Sequence, residues 1–123
     1  MKAIHFNKKD FTVNDFLEQV KDCNEDAIIV NACMYPNYVE ELLDKGEYDF
    51  ETIRGFYNEG YEVIIDYSFS SEINEGKTLK EFIQFLETEK VNKEVCLNRD
   101  VEDGFVYSNY DDIVFNKEFI VLC

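Results

Sequence analysis

Glu40, Glu41 and Asp44 recur at the short intervals that stack side chains along one helix face. Side chains so spaced lie about 5–6 Å apart between Cβ atoms. Carboxylates in such a row can grip cations, bidentately where the partner is arginine. Phosphates along a nucleic-acid strand are spaced on the same order, about 3.4 Å axially. The acid continues in Glu47, Asp49 and Glu51, and the stretch 38–68 holds nine acidic residues against two basic ones. A second run, DVEDGFVYSNYDD, carries Asp100, Glu102, Asp103, Asp111 and Asp112 with no Lys or Arg among them. Tyr48 and Tyr110 sit in expected loops flanked by these acids. They are the expected contact anchors, since tyrosine is enriched at interface hot spots. Tyr57 and Tyr107 are expected instead to be half-buried core residues.

Other residues invite catalytic readings. Asp66 lies near the end of an apolar run, and sheet enzymes often place chemistry at strand C-termini. With Glu72 or Glu75 it would bind Mg²⁺ and make the chain a small metal-dependent hydrolase; a solvent-facing carboxylate is the preferred expectation, because convergent ligands are not evident. Cys33 follows a strand and would be a nucleophile if a basic neighbour activated it. No such neighbour adjoins it in sequence, so a buried structural thiol is expected. His5 has nothing nearby that resembles a nucleophile–base set. The segment NRDVEDG lacks the sixth-position glycine and terminal glutamate of a calcium loop. The five glycines are isolated, which excludes the usual phosphate cradles. No catalytic residue, metal or cofactor is assigned, and the expectation is a protein that is not an enzyme.

The 123 residues carry a net charge of −15, from 27 acidic and 12 basic side chains. A small domain commonly needs a net charge of about 2–8 in magnitude for solubility. Self-repulsion of the excess destabilises the compact state, and it disfavours direct binding to nucleic acid or an anionic membrane. A basic protein surface is the natural partner. Hydrophobic residues make up 46% of the chain, with 11 Phe and 8 Tyr, so it is expected to fold rather than behave as an acidic tail. The length suits a single domain, 1–123. Cys23, Cys33, Cys96 and Cys123 show neither CxxC pairing nor metal-ligand spacing. The first ten residues lack a signal-peptide core, and no apolar run approaches the ~20 residues that span a bilayer. Reduced thiols in a cytoplasm are expected.

The elements that must position these residues follow from periodicity. KAIHF (2–6) reads as an opening strand. Val13, Phe16, Leu17 and Val20 mark one helix face, with Thr12 and Asp15 as its capping box. AIIVNAC (27–33) reads as a central strand covered on both faces. Pro36 starts a helix whose Val39, Leu42 and Leu43 face inward, and Gly46 ends it. Asp49 is expected to cap a second short helix bearing Phe50, Ile53 and Tyr57, closed by Gly60. EVIIDYSFS (62–70) alternates as a half-buried strand, and TLKEFIQFLETEK is a helix capped by Thr78 and Glu81. EVCLN, GFVYS, DIVF and EFIVLC read as strands, with a turn at Asn116-Lys117. The expected class is α/β or α+β, a single domain with a mixed sheet of about five to seven strands, three to four helices and antiparallel hairpins in the C-terminal part.

In size, charge and aromatic content, this profile resembles the small phage-encoded inhibitors that imitate DNA, namely antirestriction proteins and some anti-CRISPR proteins. The resemblance implies a non-enzymatic inhibitor whose carboxylates occupy the basic nucleic-acid-binding groove of a nuclease or effector. An immunity protein or antitoxin neutralising a basic toxin nuclease would use the same physics and is the alternative. The expected partner-binding residues are Glu40, Glu41, Asp44, Glu47, Tyr48, Asp49, Glu51, Asp100, Glu102, Asp103, Tyr110, Asp111 and Asp112.

Overall fold

A computed structural model describes residues 2–68, 76–100 and 107–123. Its elements run β1 (Ile4–Asn7), α1 (Val13–Gln19), β2 (Ile28–Asn31), α2 (Pro36–Lys45), β3 (Glu51–Asn58), β4 (Glu62–Ser68), α3 (Leu79–Thr88), β5 (Cys96–Asp100), β6 (Tyr107–Asn109), β7 (Asp112–Phe115) and β8 (Phe119–Leu122). All eight strands join one mixed sheet in the order β1-β7-β8-β2-β3-β4-β5-β6. The class is α+β. The sheet has one strand more than the upper expectation, and the reason lies at residues 49–60.

That segment forms β3, not a second helix. Thr52, Ile53, Phe56 and Tyr57 are the β-branched and aromatic types that suit a pleated surface. NEG at 58–60 then supplies a hairpin turn. Gly60 has φ +88°, and the Asn58 side chain accepts a hydrogen bond from its N–H at 3.0 Å. Gly60 therefore closes a hairpin with β4, where the helical reading had it closing a helix. A bulge between Ile53 and Gly55 leaves Arg54 as the extra residue. Ile53 and Phe56 thereby keep facing the core, while Tyr57, which the helical reading half-buried, is 51% exposed.

The helices obey their caps. Thr12 and Thr78 each accept a hydrogen bond from the backbone N–H of Asp15 and Glu81, whose carboxylates reach back to the cap N–H. Gly46, at φ +73°, ends α2 in the left-handed conformation that spares glycine the Cβ clash.

Strand β2 is central, as its unbroken apolar run implies. It pairs parallel with β8 and antiparallel with β3. Ile29 faces a core that includes Phe16 of α1 and Phe82 of α3, whereas Val30 faces a second core with Val39, Leu42 and Leu43 of α2. So α1 and α3 lie on one face of the sheet, and α2 lies on the other against β7 and β1. The β7–β8 hairpin turns one residue later than expected, at Lys117-Glu118, because the Asn116 side chain accepts from the N–H groups of Glu118 and Phe119.

Chain continuity bends the sheet. Strands β6 and β7 stand far apart in the strand order, yet only Tyr110 and Asp111 join them. The sheet must therefore curl until its two ends approach. Backbone bonds stitch the seam: Tyr110 N–H to Leu97 C=O at 3.4 Å, Leu97 N–H to Phe11 C=O at 3.2 Å, and Lys8 N–H to Asp111 C=O at 3.0 Å. Asp10 takes the sharp bend after β1 at φ +54°, a conformation aspartate tolerates better than most residues.

Candidate functional site

The outer face of α2 exists because its inner face is apolar. With Val39, Leu42 and Leu43 buried, Glu40, Glu41 and Asp44 turn away from the core. Helix α2 packs over β1 and β7, and β7 begins at Asp112 directly after Asp111. Residues from the two acidic runs therefore meet across β1. His5 marks the junction: Nε2 lies 2.7 Å from Asp112 Oδ1, and Nδ1 lies 3.4 Å from Glu40 Oε1. Among the described residues, the ion pairs made by Glu40, Glu41, Asp44, Asp111 and Asp112 are these two alone. Lys2 precedes β1 and Lys8 and Lys9 follow it; Lys8 is taken up by Asp15 at 2.8 Å. The Lys8 ammonium, followed by the Thr12 N–H, holds the Asp15 carboxyl below its usual range.

Some of these acids have structural duties. Asp44 Oδ1 accepts the Ala3 N–H at 2.8 Å, and Asp112 Oδ1 also accepts from Asn7 at 2.8 Å. Asp111 Oδ1 accepts the Asp10 N–H at 3.0 Å, fixing the bend after β1. Glu41, Glu47 and Asp49 are exposed.

Four expected surface residues stand elsewhere. Tyr110 is fully buried, 0% exposed, stacked on Phe11 with centroids 6.3 Å apart. It is a core residue because the β6–β7 connection passes across the seam of the curled sheet. Tyr48 is half-buried against Phe119, ring centroids 4.1 Å apart, so its ring serves the α2-side core. Glu51 sits opposite Asn31 in the β2–β3 register and is half-buried, with Oε2 enclosed. Asp100 is half-buried at the end of β5, paired with Tyr107 of β6, and acts electrostatically on Arg54 and Tyr107, away from the α2 face. Glu102 and Asp103 lie outside the described residues.

Asp66 is bound to Arg54, Oδ1 to Nη2 at 2.9 Å. Glu72 and Glu75, which would complete a metal site with it, also lie outside the described residues.

A polar group that sequence order hides sits where β2 runs out toward α2. Arg99 Nη1 donates to Cys33 Sγ at 3.2 Å, and the Arg99 guanidinium carbon lies 4.6 Å from the centroid of the Tyr110 ring. Asn31 Nδ2 is 3.5 Å and Tyr67 Oη 3.8 Å from the same sulfur. The Tyr110 hydroxyl donates to Asn31 Oδ1 at 2.5 Å. Burial, then the Cys33 contact, pushes the Tyr67 phenol up to about 12, and Arg99 and Glu51 also act on it. Glu51 Oε2 and Arg99 Nε are both buried with no hydrogen-bond partner among the described residues. Cys33 is exposed rather than buried, and it lines a cavity of about 470 Å³ with Tyr35, Arg99, Asp111 and Cys123. The basic neighbour missing beside Cys33 in sequence is thus Arg99, brought in by β5. No spacing rule links residues on strands so far apart in the chain.

No helix among the described residues is long and apolar enough to cross a membrane. Comparison with protein families, with curated proteins and with solved structures finds no match to this chain.

Proposed function

We propose that this chain is an acidic, non-enzymatic inhibitor that docks in the basic nucleic-acid-binding groove of a nuclease or effector and acts in the cytoplasm, in the manner of phage anti-defence proteins that imitate DNA. The observation that carries the reading is the meeting of Glu40, Glu41 and Asp44 with Asp111 and Asp112 around β1, with His5 as their one ion-pairing partner among the described residues. Self-repulsion in such a patch costs stability, and a cationic partner offsets it. Opposed long-range fields would speed the encounter, and the final contacts would be carboxylate–guanidinium pairs. The net charge of −15 keeps the chain itself off nucleic acid.

The test is capture on the immobilised protein from host extract at low and high salt, followed by challenge with duplex DNA. The expected result is a basic nucleic-acid-processing enzyme that is retained at low salt, released at high salt and displaced by DNA. Retention that neither salt nor DNA disturbs would overturn the reading.

A further inference from the structure

We propose, on the reading of the acidic patch given above, that the basic partner docks by adding an extended segment of its own chain to the open edge of β1, with apolar and basic side chains alternating along that segment. Strands β1 and β6 are the edges of the sheet. In β1 the bonding pattern fixes which way each backbone group points. The Lys8 N–H donates to the Asp111 C=O at 3.0 Å, in line with the β1–β7 register. Antiparallel pairs alternate between those that exchange both backbone bonds and those that exchange none. Ile4 and Phe6 therefore bond to β7, while His5 and Asn7 turn their N–H and C=O groups outward. Among the described residues, no backbone partner bonds those outward groups.

The surroundings of the edge define the occupant. Sheet edges are commonly blunted by lysine, proline or a bulge. Strand β1 reads IHFN in unbroken register and carries none of these. Lys2 and Lys9 stand beyond its ends, and Lys8 is already paired with Asp15. On one face of the strand Ile4 is 56% exposed, next to a half-buried Phe6 that packs against the core under α1 and α3. On the other face His5 lies 3.4 Å from Glu40 and 2.7 Å from Asp112. An added strand sets its side chains about 4.5–5.5 Å from those directly opposite. Its apolar side chains would cover Ile4 and Phe6, and its arginines would reach Glu40 and Asp112. In strand addition, main-chain bonds supply affinity and the alternating side chains supply specificity. A second copy of this chain would fit the same edge, but each copy carries −15, and that like charge opposes edge-to-edge pairing.

The test follows amide hydrogen exchange by NMR at low salt, with a capped octapeptide of alternating arginine and valine as the probe. In the protein alone, the Phe6 and Lys8 amides are expected to exchange slowly and those of His5 and Asn7 fast. Saturating peptide is expected to slow His5 and Asn7 by about tenfold or more, the ratio for an edge covered about nine-tenths of the time. The same peptide methylated at every backbone nitrogen keeps its charge and loses its donors, and it is expected to leave both amides fast. His5→Pro removes an outward N–H at a place where an edge strand tolerates proline. It also removes the cationic partner of Glu40 and Asp112, so the patch becomes no less acidic. Peptide binding weakened by about tenfold in this variant, the upper range for one backbone bond, therefore reports the edge and not the charge. Slow Phe6 and Lys8 amides verify that the variant keeps β1 on β7.

Peptide that binds and shifts the Glu40 and Glu41 signals without slowing His5 and Asn7 would overturn the inference and leave the charged-groove reading standing. Equal binding of the methylated peptide, or unchanged binding by folded His5→Pro, would overturn it in the same way. Absence of binding at low salt overturns it too, and capture of a basic enzyme from host extract then decides the groove reading separately. Protection of His5 and Asn7 that grows with protein concentration, with no peptide present, would assign the edge to a second copy and so overturn it. Where His5→Pro fails to fold, the wild-type exchange and the methylated peptide decide.

Discussion

At the residue scale, Tyr110 teaches most. Flanking acids made it read as a surface anchor, yet its ring fills the core and its hydroxyl donates to Asn31, itself 0% exposed. Local composition could not reveal this, because burial follows from a seam between chain ends of the sheet that only the strand order creates. Removing the hydroxyl by Tyr110→Phe leaves a buried acceptor on Asn31 unpaired. We expect a loss of about 1–3 kcal/mol in urea unfolding, and a loss near zero would show that the bond carries no net stability. Glu51 is a similar case. It looked like one more surface acid, but its place opposite Asn31 turns its carboxylate inward. By contrast, Val39, Leu42 and Leu43 were legible as core because helical spacing alone assigns their face.

At the element scale, caps were legible and β3 was not. Threonine with an acid three residues later marks the starts of α1 and α3, and both boxes form. Thr12→Ala is expected to cost about 1 kcal/mol in thermal or urea unfolding; an unchanged midpoint would contradict the cap's role. Asp15 adds a pH signature. Its folded carboxyl is held below the ordinary value of 3.8 by Lys8 and the Thr12 N–H, so the folded state favours the ionised form. That stabilisation is complete above 3.8 and fades as pH falls through the lower folded value. The stability gap between wild type and Asp15→Asn should therefore narrow with acidification below that point; a constant gap would sink the argument. The error at residues 49–60 has a physical source. Phe50, Ile53 and Tyr57 match helical spacing as well as a bulged strand does, and a short apolar run cannot arbitrate. The hairpin partner β4 decides it.

At the scale of the whole molecule, the charge excess was plain in the sequence, but its distribution was not. The fold joins part of the second acidic run to the first, since Asp112 starts β7 beneath α2 and Asp111 directly precedes it, while Asp100 goes to the β3–β5 side. It also shows which carboxylates also serve the fold: Asp44, Asp111 and Asp112 accept backbone or side-chain donors, so reversing them would confound binding with stability. Glu40 and Glu41 are the cleaner probes. The most direct measurement compares two double variants for inhibition of the captured enzyme. Glu40→Lys with Glu41→Lys alters the patch; Glu87→Lys with Glu89→Lys alters α3, on the opposite face of the sheet. Both take the net charge from −15 to −11. The account predicts a loss of about tenfold or more, roughly 1.4 kcal/mol, for the first pair and little for the second. Equal loss in both, or no loss in the first while it remains folded, would contradict it.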